Sequence, residues 1–126
     1  MLVGKTNKNK GNFGLGKSIS YFTENEYVVS IPLNDTQKYD LVVEMNGELK
    51  RIQVKTTTSK DGVNYQVDLR TTGGNRSRYI NEKFDKSKID YLFIYTENGS
   101  WLIPSEEIKS ERSINLGEKF IDFKID

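Results

Sequence analysis

The sequence predicts an α/β fold of the α+β kind, a single domain over residues 1–126 in which an antiparallel β-meander is flanked by helices. Three observations predict it. Apolar residues recur at spacings near three and four between Phe13 and Phe22, two strand-forming runs flank Asn46-Gly47, and the continuous apolar run Tyr91 to Thr96 is followed at once by Asn98-Gly99. A chain of 126 residues suits one core, because two would each bury too little apolar surface against the entropy of folding.

The first element is a helix carrying Phe13, Leu15, Ile19 and Phe22 on one face. Gly11, Gly14 and Gly16 interrupt it, and each interior glycine costs a helix about 1 kcal/mol relative to alanine, so Gly14 and Gly16 need a packing or backbone-approach reason. Tyr27 to Ile31 is β-branched and aromatic and is halted by Pro32, which makes it a first strand, with Asn34 and Asp35 turning the chain. Tyr39 to Met45 alternates, with Tyr39, Leu41, Val43 and Met45 on one face and Asp40, Val42 and Glu44 on the other.

Asn46-Gly47 predicts a tight hairpin into Leu49 to Thr57, which sets Ile52 and Val54 against Arg51, Gln53 and Lys55. Asp61-Gly62 is a second turn, and Tyr65 to Leu69 continues the meander. Thr71 to Ser77, rich in glycine and hydroxyls, reads as a surface loop, and Arg78 to Lys88 has no clear period and admits a helical stretch. Tyr91 to Thr96 and Trp101 to Pro104 pair across Asn98-Gly99. A short helix follows, with Ser105 as N-cap and Glu106 and Glu107 in its first turn; Ser113 to Asp126 shows no firm pattern.

Composition removes several chemistries. The absence of cysteine excludes disulfides, thiol nucleophiles and zinc-thiolate sites, and the absence of histidine excludes imidazole as base, ligand or relay partner. Any catalysis rests on carboxylates, amides, Lys, Arg, Tyr or a hard metal ion. Met1 to Lys10 has no signal-peptide core and no apolar run approaches the ~20 residues that span a bilayer. The expectation is a cytoplasmic protein. A net charge of +1 gives no global pull toward polyanions, but Lys5, Lys8, Lys10 and Lys17 gather near the start, either as a basic edge or as a solvated arm.

One constellation stands out. Gln53 and Lys55, at i and i+2, share a strand face, and folding the chain at residues 46 and 47 puts Asp40 opposite Gln53. Phosphodiester hydrolysis without histidine requires a hard cation held by oxygens and a nearby cation or acid-base group. The Asp40 carboxylate, the Gln53 side-chain carbonyl and the Val54 backbone carbonyl supply oxygens, and Lys55 can orient water and stabilise developing charge. By spacing alone the pattern is weak, because an aspartate at a strand start is often a turn or capping residue and polar Gln and Lys on a strand are usually its solvent face.

The stretch Lys10 to Thr57, with Tyr39-Asp40-Leu41 and Gln53-Val54-Lys55, resembles the PD-(D/E)XK nucleases encoded by group I introns. Ile94 to Ile108, IYTENGSWLIPSEEI, is similar to that family's closing strand pair and helix. The resemblance implies a restriction-endonuclease-like core with a mixed central sheet, Asp40, Gln53 and Lys55 as the nuclease centre, Mg²⁺ as cofactor with Mn²⁺ as a substitute, and double-stranded DNA as substrate. One position departs. Many relatives carry a glutamate in the first helix that completes the metal site, and the matching residue here is Leu15, which cannot bind a metal. Glu24, Glu26 or Glu44 could replace it, water and phosphate could fill the position, or cleavage could be lost.

Lys17, Arg51, Arg70, Arg76 and Arg78 are the candidate DNA contacts, with Arg70 to Tyr79 an adaptable binding loop or an ordinary exposed one. Tyr91, Phe93, Tyr95 and Trp101 read as core or interface, with a base-stacking platform as the alternative. A long or nearly palindromic site would call for a homodimer or tetramer. Three readings follow: a homing or restriction-like endonuclease, an inactive DNA-binding module keeping the nuclease fold, and an interaction domain with a merely solvated polar face.

Overall fold

The computed structural model describes residues 2–34, 36–75 and 78–126, with the backbone alone over 72–81. An α-helix, α1 (Asn7–Glu24), opens the chain, capped by Thr6, whose hydroxyl accepts from the Asn9 amide at 3.2 Å. It is a turn and a half longer at its start than the apolar spacing predicts, because the cap and not the first apolar residue begins it. No helix among the described residues is long and apolar enough to cross a membrane.

The central sheet has five strands: β1 (Val28–Ser30), β2 (Leu41–Met45), β3 (Glu48–Thr56), β8 (Tyr91–Thr96) and β9 (Gly99–Pro104), in the order β1-β2-β3-β8-β9. The hairpin between β2 and β3 follows from Asn46 and Gly47, which both take positive φ (52° and 81°), the turn geometry whose twist matches that of the strands. Every neighbouring pair is antiparallel except β3 and β8, which run parallel with Gln53 beside Leu92 and Lys55 beside Ile94. The sheet is therefore mixed. A parallel pair needs a long crossover, and residues 57–90 supply it.

The crossover is strand-rich. β4 (Lys60–Asp61) and β5 (Asn64–Asp68) form a hairpin, and β5 also pairs with β10 (Ser113–Asn115), giving a three-stranded sheet in the order β10-β5-β4. The predicted continuation of the meander into Tyr65 to Leu69 is corrected here, because β3 gives its free edge to β8. The segment read as a loop and then a helical stretch is also a hairpin, β6 (Thr71–Asn75) with β7 (Arg78–Glu82). Its β-branched and aromatic residues outweigh Gly73 and Gly74, and only Lys86–Lys88 forms a 3₁₀ turn.

Residues 105–107 also form a 3₁₀ turn rather than an α-helix; Pro104 occupies the cap position without a side-chain bond, so Ser105 is not its cap. The tail adds β10 and a 3₁₀ segment, Glu118–Phe123.

Two apolar layers enclose the central sheet. Under α1, Phe22, Leu41, Val43, Ile52 and Phe93 are buried, with Leu15 and Ile19 packed against them. On the opposite face, Leu92, Ile94 and Ile103 pack against Val67, Leu69, Ile114 and Phe120. Thus the second face is covered by the small sheet and by 3₁₀ turns. Tyr39 belongs to this second layer, away from Leu41, Val43 and Met45, because β2 begins only at Leu41 and the strict alternation does not extend back to it.

Gly14 has the packing reason its position demanded: a Cβ there would lie 1.9 Å from Thr56 Oγ1, so α1 rests on β3 at that point. Gly16 faces open space.

Candidate active site

Asp40, Gln53 and Lys55 converge as the hairpin register requires. Leu41 pairs with Ile52, which carries Asp40 to Gln53. Two bonds fix Asp40 to β3: its amide donates to the Ile52 carbonyl at 2.8 Å, and its Oδ2 accepts from the Val54 amide at 2.7 Å. Asp40 is exposed, yet partial desolvation of its carboxyl raises its pKa against the opposing pulls of the Val54 N–H and the Lys55 charge.

Burial likewise pulls the Lys55 ammonium below the usual lysine range, opposed by Asp68 and Asp40. Lys55 Nζ donates to the Arg70 carbonyl at 3.4 Å. Gln53 is buried, 9% exposed, and its Oε1 has no hydrogen-bond partner. An unpaired buried amide oxygen costs about 1–3 kcal/mol, so its retention calls for a ligand.

The donor set suits a hard divalent cation. Asp40, the Gln53 amide oxygen and the Val54 carbonyl are all oxygen donors, and such cations accept the rest of their shell from water and substrate phosphate. Among the described residues no group of three or more Asp or Glu is gathered to hold a metal. Leu15 packs into the layer under α1, while Glu24 and Glu26 sit at the far end of that helix and Glu44 pairs with Leu49, well along the strand from Asp40. None of the three substitutes for the missing helix glutamate.

A polar cavity of about 700 Å³ begins at Val54 and Lys55 and runs between the start of α1 and β5. It brings in residues that sequence reasoning missed. Asp68 on β5 grips Arg70 through its backbone amide at 2.9 Å and its guanidinium at 3.0 and 3.1 Å; the Arg70 guanidinium holds the Asp68 carboxyl below the usual carboxylate range. The i, i+2 spacing of Asp68 and Arg70 was a legible signal for their pairing, but nothing local announces that β5 leaves the meander and brings them to Lys55.

The other candidate DNA contacts are dispersed. Arg51 braces the sheet: Asp90 accepts its amide at 2.8 Å and its guanidinium at 3.2 and 3.3 Å, and the Ser87 carbonyl accepts at 3.2 Å. Lys17 lies over the rings of Phe13 and Tyr95, at 5.4 and 5.9 Å. Arg78 stands on β7, and Arg76 lies outside the described residues.

The family model described as PD-(D/E)XK endonuclease matches residues 5–121. This chain belongs to the PD-(D/E)XK endonuclease family. The bacterial homing endonuclease I-Ssp6803I shares its fold, with a TM-score of 0.76 and 29% identity over 90% of this chain and 80% of that one. Protein 5.3 of Escherichia phage T7 is 29% identical over 99 residues, which span 78% of this chain and 80% of that protein. Family membership gives the Asp40, Gln53 and Lys55 grouping a chemical context, since such nucleases typically use divalent metals on a DNA substrate.

Proposed function

We propose that this chain, folded as one domain, is a Mg²⁺-dependent endonuclease that hydrolyses phosphodiester bonds in double-stranded DNA at defined sites, with Asp40, Gln53 and Lys55 as its catalytic centre and Mn²⁺ as an alternative cofactor. The observation that carries the reading is the buried, partnerless Gln53 Oε1, which shares a face of β3 with Lys55 and lies beside Asp40, bound to the same strand. Bound to Asp40, Gln53 Oε1 and the Val54 carbonyl, a divalent cation would polarise the phosphate and lower the pKa of an attacking water.

The protein's own residues do the rest. The Val54 N–H fixes one Asp40 oxygen and leaves the other to face the ligand. Lys55, held by the Arg70 carbonyl, places positive charge where charge develops on the phosphorus oxygens, inside a desolvated site where that charge counts for more. Water adds to phosphorus, the bond to the departing sugar oxygen breaks, and the proton passes to that oxygen.

A site read with two-fold symmetry makes a homodimer or tetramer the economical assembly. The test is incubation of a genomic or phage DNA library with Mg²⁺, with EDTA, and with the Lys55→Ala variant. Discrete products that need both the metal and Lys55 are expected; unchanged cutting by Lys55→Ala refutes the assignment.

A second reading has one observation in its favour. With Leu15 in the apolar layer and no group of three or more Asp or Glu gathered among the described residues, the fold could serve as a DNA-binding module that does not cut. It predicts duplex binding in EDTA and intact DNA with Mg²⁺.

A further inference from the structure

We infer that the cavity beside Lys55 is a phosphate track, in which Lys10 of α1 and Arg112 of the loop before β10 hold the sugar-phosphate backbone of a DNA strand as it leaves the catalytic centre. The inference deepens the nuclease reading and rests on it for the position of the cut. Neither residue belongs to the catalytic grouping.

Charge is the first argument. The chain's 19 basic and 18 acidic residues nearly cancel. The cavity wall does not share that balance: among the described residues it carries Lys10, Lys55, Arg70 and Arg112 against the one carboxylate of Asp68, which is already committed to Arg70. A concave surface of one sign between low-dielectric walls focuses the field and concentrates counter-ions.

Availability is the second. No carboxylate pairs with the side chain of Lys10 or of Arg112 among the described residues, in contrast to Arg51 and Arg70. The Arg112 backbone is nonetheless anchored, its carbonyl accepting from the Leu69 amide at 2.8 Å, so its guanidinium projects from a fixed point. Lys10 rides on the first turns of a capped helix.

Access is the third. Gly11 lines the cavity next to Lys10, and a Cβ added there would meet nothing within 4 Å, so a polymer backbone can approach α1 closely. The wall is otherwise polar, with Asn7, Thr58 and Ser59 able to bond phosphate or sugar oxygens. Little in it would grip an apolar ligand.

The experiment is a salt titration of binding to fluorescent duplexes of two unrelated sequences, in EDTA, so that cleavage plays no part. Each phosphate neutralised contributes ~0.9 to the slope of log affinity against log salt. The Lys10→Ala/Arg112→Ala double variant is expected to lower that slope by about two and to weaken both duplexes equally. Lys83→Ala/Lys86→Ala, on a surface pocket that shares no lining residue with the cavity, is expected to leave it unchanged; circular dichroism checks that both variants fold.

A wild-type slope retained by Lys10→Ala/Arg112→Ala overturns the phosphate track and leaves the nuclease reading intact. So does tighter binding of a free mononucleotide than of duplex, which would make the cavity a small-molecule site. Loss of slope in the double variant together with intact DNA in Mg²⁺ upholds the track and removes the nuclease. A wild-type chain that binds no duplex overturns both.

Discussion

Replacing Gly14 by alanine sets helix propensity against packing, and the structure decides the sign. In an open helix position the change is worth about 1 kcal/mol in favour of alanine. At Gly14 the added Cβ would stand 1.9 Å from Thr56 Oγ1, 3.3 Å from Thr56 Cβ and 3.7 Å from Tyr95 Cβ. Overpacking of this kind costs about 1–3 kcal/mol, so the net expectation is a destabilisation on the order of 1 kcal/mol and a melting temperature several degrees lower.

Thr56→Ala removes the oxygen that makes the clash. That hydroxyl is buried with no hydrogen-bond partner, so its deletion by itself is close to neutral. In the double variant the nearest remaining Thr56 atom would be the Cβ at 3.3 Å, a contact a few tenths of an ångström of adjustment relieves. The double-mutant cycle therefore predicts a favourable coupling of about 1–3 kcal/mol.

Gly16→Ala is the internal control. With nothing within 4 Å of its Cβ, it is expected to raise stability by up to about 1 kcal/mol. Thermal unfolding followed by circular dichroism reads all four variants. Equal stabilities of Gly14→Ala and Gly16→Ala, or no rescue by Thr56→Ala, would refute the argument. The contact also bears on function, because Thr56 follows Lys55 on β3; Gly14→Ala is expected to slow cleavage, with Thr56→Ala restoring it.

Gln53→Leu removes the partnerless oxygen and should leave metal-free stability equal or higher; Mg²⁺ at a hundred times its dissociation constant should then stabilise the wild type by about 2.7 kcal/mol and the variant by much less, as calorimetry would show. Lys55→Met places an apolar chain where desolvation opposes the ammonium, so the melting temperature is expected to hold or rise while cleavage falls at least ~100-fold; a marked drop in melting temperature would contradict this. Desolvation pushes the Asp90 carboxyl up, but its bonds from Arg51 outweigh that and hold its pKa below the usual range. Its contribution is thus present above the unfolded-state value near ~4 and lost as pH falls through the folded one. Asp90→Asn should cost about 1 kcal/mol at neutral pH, the pair being partly screened by solvent, and nothing in strong acid; urea denaturation that shows the same deficit at both pH values would count against it.

Local chemistry determined much of this protein from its sequence. Asn46-Gly47 compelled a hairpin whose register carries Asp40 to Gln53, and the parity of β3 put Gln53 and Lys55 on one face, so the central grouping was legible without any fold in view. The apolar faces of α1 and the pairing across Asn98-Gly99 were legible for the same reason, since each is a pattern within a few residues.

Tertiary structure decided what depends on distant segments meeting. The parallel pairing of β3 with β8 sent β5 out of the meander, and only then did Asp68, Arg70 and Arg112 come to line one cavity with Lys55. It tied Arg51 to Asp90, 39 residues away, and seated Gly14 on Thr56. Sequence spacing encodes direction along one element; which elements share a cavity is settled by the packing of both faces of the sheet at once.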